Sequence, residues 1–222
     1  IKNNRTGIEL KWKSKGYALD PEQKAAMQAE AAVKLAARAE QQQREQERAA
    51  QRVGKQMADL VPVVAPTPYL AAKGIEPQPG VYTDRDGQKT YIPAIDADGK
   101  QWTMQYIQED GTKRFAKESR KEGCFHPIGG LDAIAAAPAI VIGEGYATAA
   151  QVSQALGYGT VAAFDSGNLE AVAKALHEKY PDKPIVIAGD DDQAVQNNPG
   201  KTKAKEAARA VGGIAFFPIF AP

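Results

Sequence analysis

The chain has 222 residues, 43% of them hydrophobic, with 28 Lys and Arg against 27 Asp and Glu. That length and apolar content suffice for a packed core and exclude a disordered tail, while the near balance of charge excludes a whole-molecule electrostatic case for nucleic-acid binding, so any such case must be local. A single cysteine, Cys124, excludes an internal disulfide and any zinc ribbon within this chain, and it suits a reducing compartment.

No run of about 18 apolar residues and no signal-peptide pattern occurs, so a soluble, cytoplasmic protein with no membrane partner is expected. Ile stands at position 1 and the chain stops just after an apolar run, which reads as a piece of a longer protein.

Residues 20 to 60 are dominated by Ala, Gln, Glu, Lys and Arg, which predicts one long helix, with Asp20 as its cap and Pro21 in its first turn. Stepping by seven from Leu19 meets Ala26 and Val33 but then Glu40 and Glu47, so a solvated helix is expected in preference to a coiled coil. This extension, residues 1–60, would connect the core to something upstream. Pro62, Pro66 and Pro68 cannot continue a helix and mark residues 61–68 as an extended linker.

A small α+β region is then expected over residues 69–136. Asp86-Gly87, Asp98-Gly99 and Asp110-Gly111 recur at twelve-residue intervals between segments rich in Tyr, Ile, Val, Thr and Trp. Asp-Gly favours turns that match strand twist, so residues 80–116 read as an antiparallel meander. Trp102, Met104 and Tyr106 alternate with polar neighbours, as on a half-buried strand.

From residue 137 the pattern changes to short, wholly apolar runs, at 139–142, 160–164, 184–188 and 214–217. Runs apolar on both faces suit strands buried in a parallel sheet, with crossover helices predicted at 148–157, 169–180 and 202–211. The expected fold class is α/β. In such a sheet ligands bind at the carboxyl ends of the strands. Glu144 follows the first run directly and Asp190-Asp191-Asp192 follows the third, so the acids converge if those two strands are neighbours. Carboxylates brought together repel one another, and a divalent cation is the usual remedy. Magnesium or manganese there could polarise an α-phosphate and stabilise leaving pyrophosphate. Gly143, Gly145 and Gly189 beside the acids would let phosphate approach the backbone.

Gly143-Glu144-Gly145-Tyr146-Ala147-Thr148-Ala149 resembles the Glu-Gly-Tyr-Ala-Thr-Ala motif of plasmid-encoded conjugative primases and related phage primases. With an acidic Asp-x-Asp after a later strand it is similar to the TOPRIM pattern shared by bacterial primases, topoisomerases and some nucleases. The resemblance extends over residues 69–222 and includes Tyr91-Ile92-Pro93 and Lys113-Arg114-Phe115 in the smaller subdomain. It implies a Rossmann-like TOPRIM fold with a four-stranded parallel sheet over 137–222, and a DNA primase that makes RNA primers on single-stranded DNA from ribonucleoside triphosphates. It further implies Glu144 as general acid/base beside the metal and Asp190 with Asp192 as metal ligands, Asp191 lying between them. Tyr146 and Thr148 of the motif would face nucleotide. A helicase, a relaxase or an upstream DNA-binding domain would be its partners in plasmid or phage replication. Replicative bacterial primases carry a further acid where this chain has Thr148. The alternatives are a TOPRIM nuclease or topoisomerase fragment, and a single-strand-binding module without catalysis.

Other signals are local. Asp165, Ser166 and Asn168 follow the second parallel strand and could contact metal or nucleotide, or cap the next helix. Lys113, Arg114, Lys117, Arg120 and Lys121 put five cations in nine residues near Phe115 and Phe125, a composition suited to a single-strand track. Gly200-Lys201-Thr202 lacks the first glycine of a P-loop, Val195 standing there, yet Lys201 and Lys203 could meet phosphate. Cys124 and His126 have no further ligands in sequence, so no zinc is expected.

Overall fold

The structure is a computed structural model that describes residues 20–190 and 198–218. The chain divides after Gln43 into two compact units. The long helix α1, Pro21–Met57, begins before that division and ends beyond it. In its first part Met27, Val33 and Leu35 are exposed, and Lys34 pairs with Glu30 one turn away.

From Arg44 onward the chain is one unit in which α1 ceases to be solvated. Ala49 and Val53 are buried, and Val53 packs with Tyr91 and Met104. Around this apolar strip Glu47 pairs with Lys100, Gln56 accepts from the Tyr106 hydroxyl at 3.1 Å, and Arg52 donates to the Lys117 carbonyl. The expectation of a solvated helix therefore holds for its first part only.

Val61–Pro62 (β1), Tyr82–Thr83 (β2), Thr90–Ile95 (β3), Gln101–Ile107 (β4) and Lys113–Phe115 (β5) form an antiparallel sheet in chain order. Val61 and Pro62, expected as linker, are thus hydrogen-bonded to the sheet opposite Thr83 and Tyr82. Gly87, Gly99 and Gly111 adopt φ of 71°, 87° and 81°, the left-handed turn geometry that Asp-Gly predicts. Strand β4 differs from the half-buried reading, because Thr103 and Gln105 are buried along with Trp102 and Met104. The α1 side covers Met104, and the other face turns toward the second sheet. Between β1 and β2 runs the short helix α2, Pro68–Lys73, capped by Thr67.

The second sheet has the order β10-β9-β7-β8-β6. Its parallel members are Ile140–Gly143 (β7), Val161–Ala162 (β8), Ile185–Ala188 (β9) and Ile214–Phe216 (β10), joined by Tyr146–Leu156 (α4), Leu169–Lys179 (α5) and Pro199–Ala210 (α6). The four parallel strands and three helices fall where the apolar runs place them. A fifth strand, His126–Pro127 (β6), joins antiparallel to β8, followed by the helix α3, Gly130–Ala136. Two residues carry too little pattern for sequence to reveal such a strand.

From β7 the chain passes to β8 on one side, then crosses to β9 on the other. The β7/β9 crevice is therefore the topological switch point, where open α/β sheets bind their ligands.

His126 is 3% exposed, and its Nδ1 lies 2.9 Å from the Pro93 carbonyl. Burial pulls its pKa down from 6.5 to about 4, against the opposing effect of that hydrogen bond. The native state thus binds fewer protons than the unfolded chain between those values. This contribution to stability is complete above pH 6.5 and is lost as pH falls towards 4, by about 3 kcal/mol. Urea unfolding at stepped pH should show that loss, and His126→Phe should remove it.

Candidate active site

Strands β7 and β9 pair in parallel with Ile142 opposite Ile187 and Gly143 opposite Ala188. Both then end, so Glu144 and Asp190 emerge from adjacent strands on one edge, each half-buried. Thr148, in the first turn of α4, turns its hydroxyl to Asp190 Oδ1 at 3.4 Å. The residue that departs from the replicative primases is thus a neutral donor to the second acid. Asp191 and Asp192 lie outside the described residues. Among the described residues no group of three His, Cys, Asp or Glu could hold a metal ion.

The three glycines of this edge divide by role. A Cβ on Gly143 would lie 3.0 Å from the Ala149 nitrogen, and one on Gly189 would lie 2.6 Å from the Ala204 Cβ. These two let α4 and α6 press against the strand ends. Gly145 has nothing within 4 Å, so it alone has the open space expected for an approaching phosphate.

The antiparallel sheet contributes the facing cation. Desolvation lowers the pKa of Lys113 on β5, and the neighbouring Lys73 adds to that, against the opposing fields of Asp190 and Glu144. Its Nζ stands 5.6 Å from the centre of the Tyr69 ring. Tyr69, Lys73, Glu109, Asp110 and Lys113 line an open cavity of about 500 Å³. Tyr69 and Lys73 belong to no motif, and sequence reasoning misses them; only the fold of α2 beside β5 shows them.

Tyr146 is wholly buried. Burial, and secondarily Tyr69, raises its pKa. Its hydroxyl and that of Tyr69, whose pKa burial pushes up to about 12, are buried with no hydrogen-bond partner. The ring itself is core, so any contact with nucleotide is confined to that hydroxyl.

Beyond β8, Phe164 takes φ of 76° and packs edge-on against Phe115 at 5.2 Å. Asp165 accepts from the Asn168 backbone N–H at 3.1 Å and pairs with Lys121. Ser166 opens the single turn between them, half-buried. Asn168 serves the architecture, since its Oδ1 accepts from the Gly123 N–H at 2.9 Å and its Nδ2 donates to the carbonyls of Cys124 and Ala163 at 2.9 and 2.8 Å. The Asn168 amide is therefore committed to backbone, not to a ligand.

The five clustered cations separate. Arg114 points to the opposite face of β5 from Lys113, since it stands across from Tyr106. Arg120 lies over the Trp102 ring at 4.8 Å. Phe125, expected to stack on bases, is fully buried and belongs to the core. Cys124 is buried too, its thiol pushed up to about 12 by desolvation. On α6, Lys201 lies 5.2 Å from the Phe217 ring and Lys203 pairs with Glu206.

Residues 139–218 match the family described as the Toprim domain. With the sheet order and the acidic edge above, this part of the chain is a Toprim domain, and the α/β fold expected from sequence holds. Over its whole length the chain is 74% and 72% identical to two DNA primases, both called TraC, from Escherichia coli. It spans 21% and 16% of those proteins. Their similarity covers every segment that carries the resemblance to plasmid-type primases. Among solved structures, the DnaG primase catalytic domain bound to single-stranded DNA superposes with a TM-score of 0.50 at 14% identity, covering 81% of this chain and 72% of that one, a likeness of fold.

Asn168→Ala strips three backbone groups of their partner at once. At about 1–3 kcal/mol for each buried group left unsatisfied, it should lower stability by several kcal/mol in thermal or urea denaturation. Lys121→Ala, which removes a half-exposed ion pair and a contact at 5.8 Å with the Phe115 ring, should change stability by about 1 kcal/mol or less.

Proposed function

We propose that this chain is the core of a DNA primase that extends RNA primers on single-stranded DNA, with a small α+β subdomain, residues 69–136, acting beside the Toprim domain, residues 137–222. The observation that carries the reading is the emergence of Glu144 and Asp190 from paired strands at the switch point, with Lys113 of the other sheet within reach of both their charges. Identity to the TraC primases supports the reaction class.

Glu144, Asp190 and the Thr148 hydroxyl are an all-oxygen donor set, which fits Mg²⁺ or Mn²⁺ and not the nitrogen and sulfur preferences of structural zinc. Asp191 and Asp192 are next in sequence and would complete it. Such a cation supplies charge neutralisation at the α-phosphate and at the leaving pyrophosphate. Glu144 would take the proton from the attacking ribose hydroxyl. Lys113 and Lys73 would neutralise the triphosphate, whose approach is open at Gly145. Lys121, Lys201 and Lys203 would meet template phosphates, and Arg114 would do so on the far face of β5. A helicase, a relaxase or an upstream DNA-binding domain would deliver the template, in the cytoplasm, during plasmid transfer or replication. No described helix is long and apolar enough to cross a membrane.

Incorporation of labelled ribonucleotides on single-stranded DNA with Mg²⁺ or Mn²⁺ tests this. Glu144→Gln and Asp190→Asn should each lower synthesis at least about 100-fold with unfolding midpoints near wild type. Primer synthesis retained by both variants overturns the assignment, and DNA binding without any turnover in the wild type favours the binding-module alternative.

A further inference from the structure

A second cavity, of about 280 Å³, has no part in the chemistry above. Its walls include Met57, Pro79, Tyr82, Pro93, Ile95 and Pro127, and no Lys, Arg, Asp or Glu is among its lining residues. Gln101 and His126 also line it. Each carries a buried nitrogen with no hydrogen-bond partner, Nε2 in both cases.

Their chemistry is complementary. At His126 the hydrogen bond to the Pro93 carbonyl places the proton on Nδ1, which leaves Nε2 as a lone-pair acceptor. At neutral pH the ring stays uncharged, because burial holds its pKa near 4. Gln101 Nε2 is a donor. Gln101 stands where the β3–β4 register shifts between Ala94 and Ile95, and such irregularities re-aim side chains. Folded proteins seldom leave buried polar atoms unmatched. One bridging water is too small an answer, since it fills roughly 30 Å³ of a cavity many times larger. What fits is a flat, uncharged ring with a donor and an acceptor side by side, seated between proline and aromatic walls.

We propose that this cavity binds a nucleobase, one ring N–H or amino group donating to His126 Nε2 and a neighbouring acceptor taking the Gln101 amide proton. The absence of lining cations leaves sugar and phosphate outside. The base could arrive on a free nucleoside or on single-stranded nucleic acid, which share this edge chemistry. Base binding here does not depend on primase activity.

Titration of the ¹⁵N-labelled chain followed by NMR tests it, with uridine and adenosine in one arm and a short oligodeoxythymidylate in the other. Either ligand should move the Gln101 side-chain amide resonance. Gln101→Met should weaken that binding at least tenfold and, having removed a buried unsatisfied donor, should raise the melting temperature. Met57→Trp, which fills the cavity from α1, should also abolish binding. Glu144→Gln should bind as wild type does, which separates this cavity from the acidic edge. Response to nucleosides assigns a free ligand, and response to the oligonucleotide alone assigns a strand. A Gln101 amide that moves with neither, or equal affinity in Gln101→Met, overturns the proposal.

Discussion

The acidic edge depends on a single pairing, the parallel alignment of β7 with β9 that sets Gly143 opposite Ala188. Two carboxylates on separate strands are brought together only if those strands are neighbours, end at the same level and leave room between the departing helices. The reversal of strand order supplies the neighbourhood and the crevice. The lack of a side chain at Gly143 and Gly189 supplies the level ending, since α4 and α6 could not otherwise close on the strand tips. Desolvation and the neighbouring Lys73 disfavour the charge of Lys113, and the two acids of this edge act in the opposite direction on it.

The antiparallel sheet is held in place to deliver that cation. Phe115 against Phe164, Lys121 against Asp165, and the Asn168 amide against Gly123 and Cys124 all join the end of β5 and the segment after it to the loop after β8. The third bond of Asn168, to Ala163, anchors the same amide in the Toprim sheet. Behind this seam, Tyr69, Leu70, Ile92 and Tyr146 share one apolar cluster, so the two sheets have a common core. The end of α1 finishes the arrangement by covering the far face of β3 and β4 at Tyr91 and Met104.

Legibility in the sequence follows the range of the interactions. Asp-Gly turns, apolar runs and the Glu144 motif are local patterns, and the meander, the parallel strands and the first acid can be read from them directly. Which face a residue occupies depends on what covers it. For that reason sequence groups Arg114 with Lys113 although β5 sends them to opposite sides, and it offers Phe125 as a stacking platform although that ring is core. Sequence likewise credits Gly143 and Gly189 with phosphate access when their role is helix packing, a distinction set by Ala149 and Ala204. Tyr69 and Lys73 are invisible because their partners lie some forty residues away on β5.

Strand β6 lends a further meaning to the boundary between the two subdomains. Although it precedes the Toprim domain in sequence, it forms the outer strand of that domain's sheet, covering β8 through His126 and Pro127. A polypeptide begun at residue 137 would keep every acid yet present β8 as a bare edge of unpaired N–H and C=O groups, open to strand addition by another chain. It would also leave the Asn168 amide facing an emptied seam. The Toprim domain is thus separable in sequence but not in structure: one edge of its sheet is closed by two residues of the segment before it.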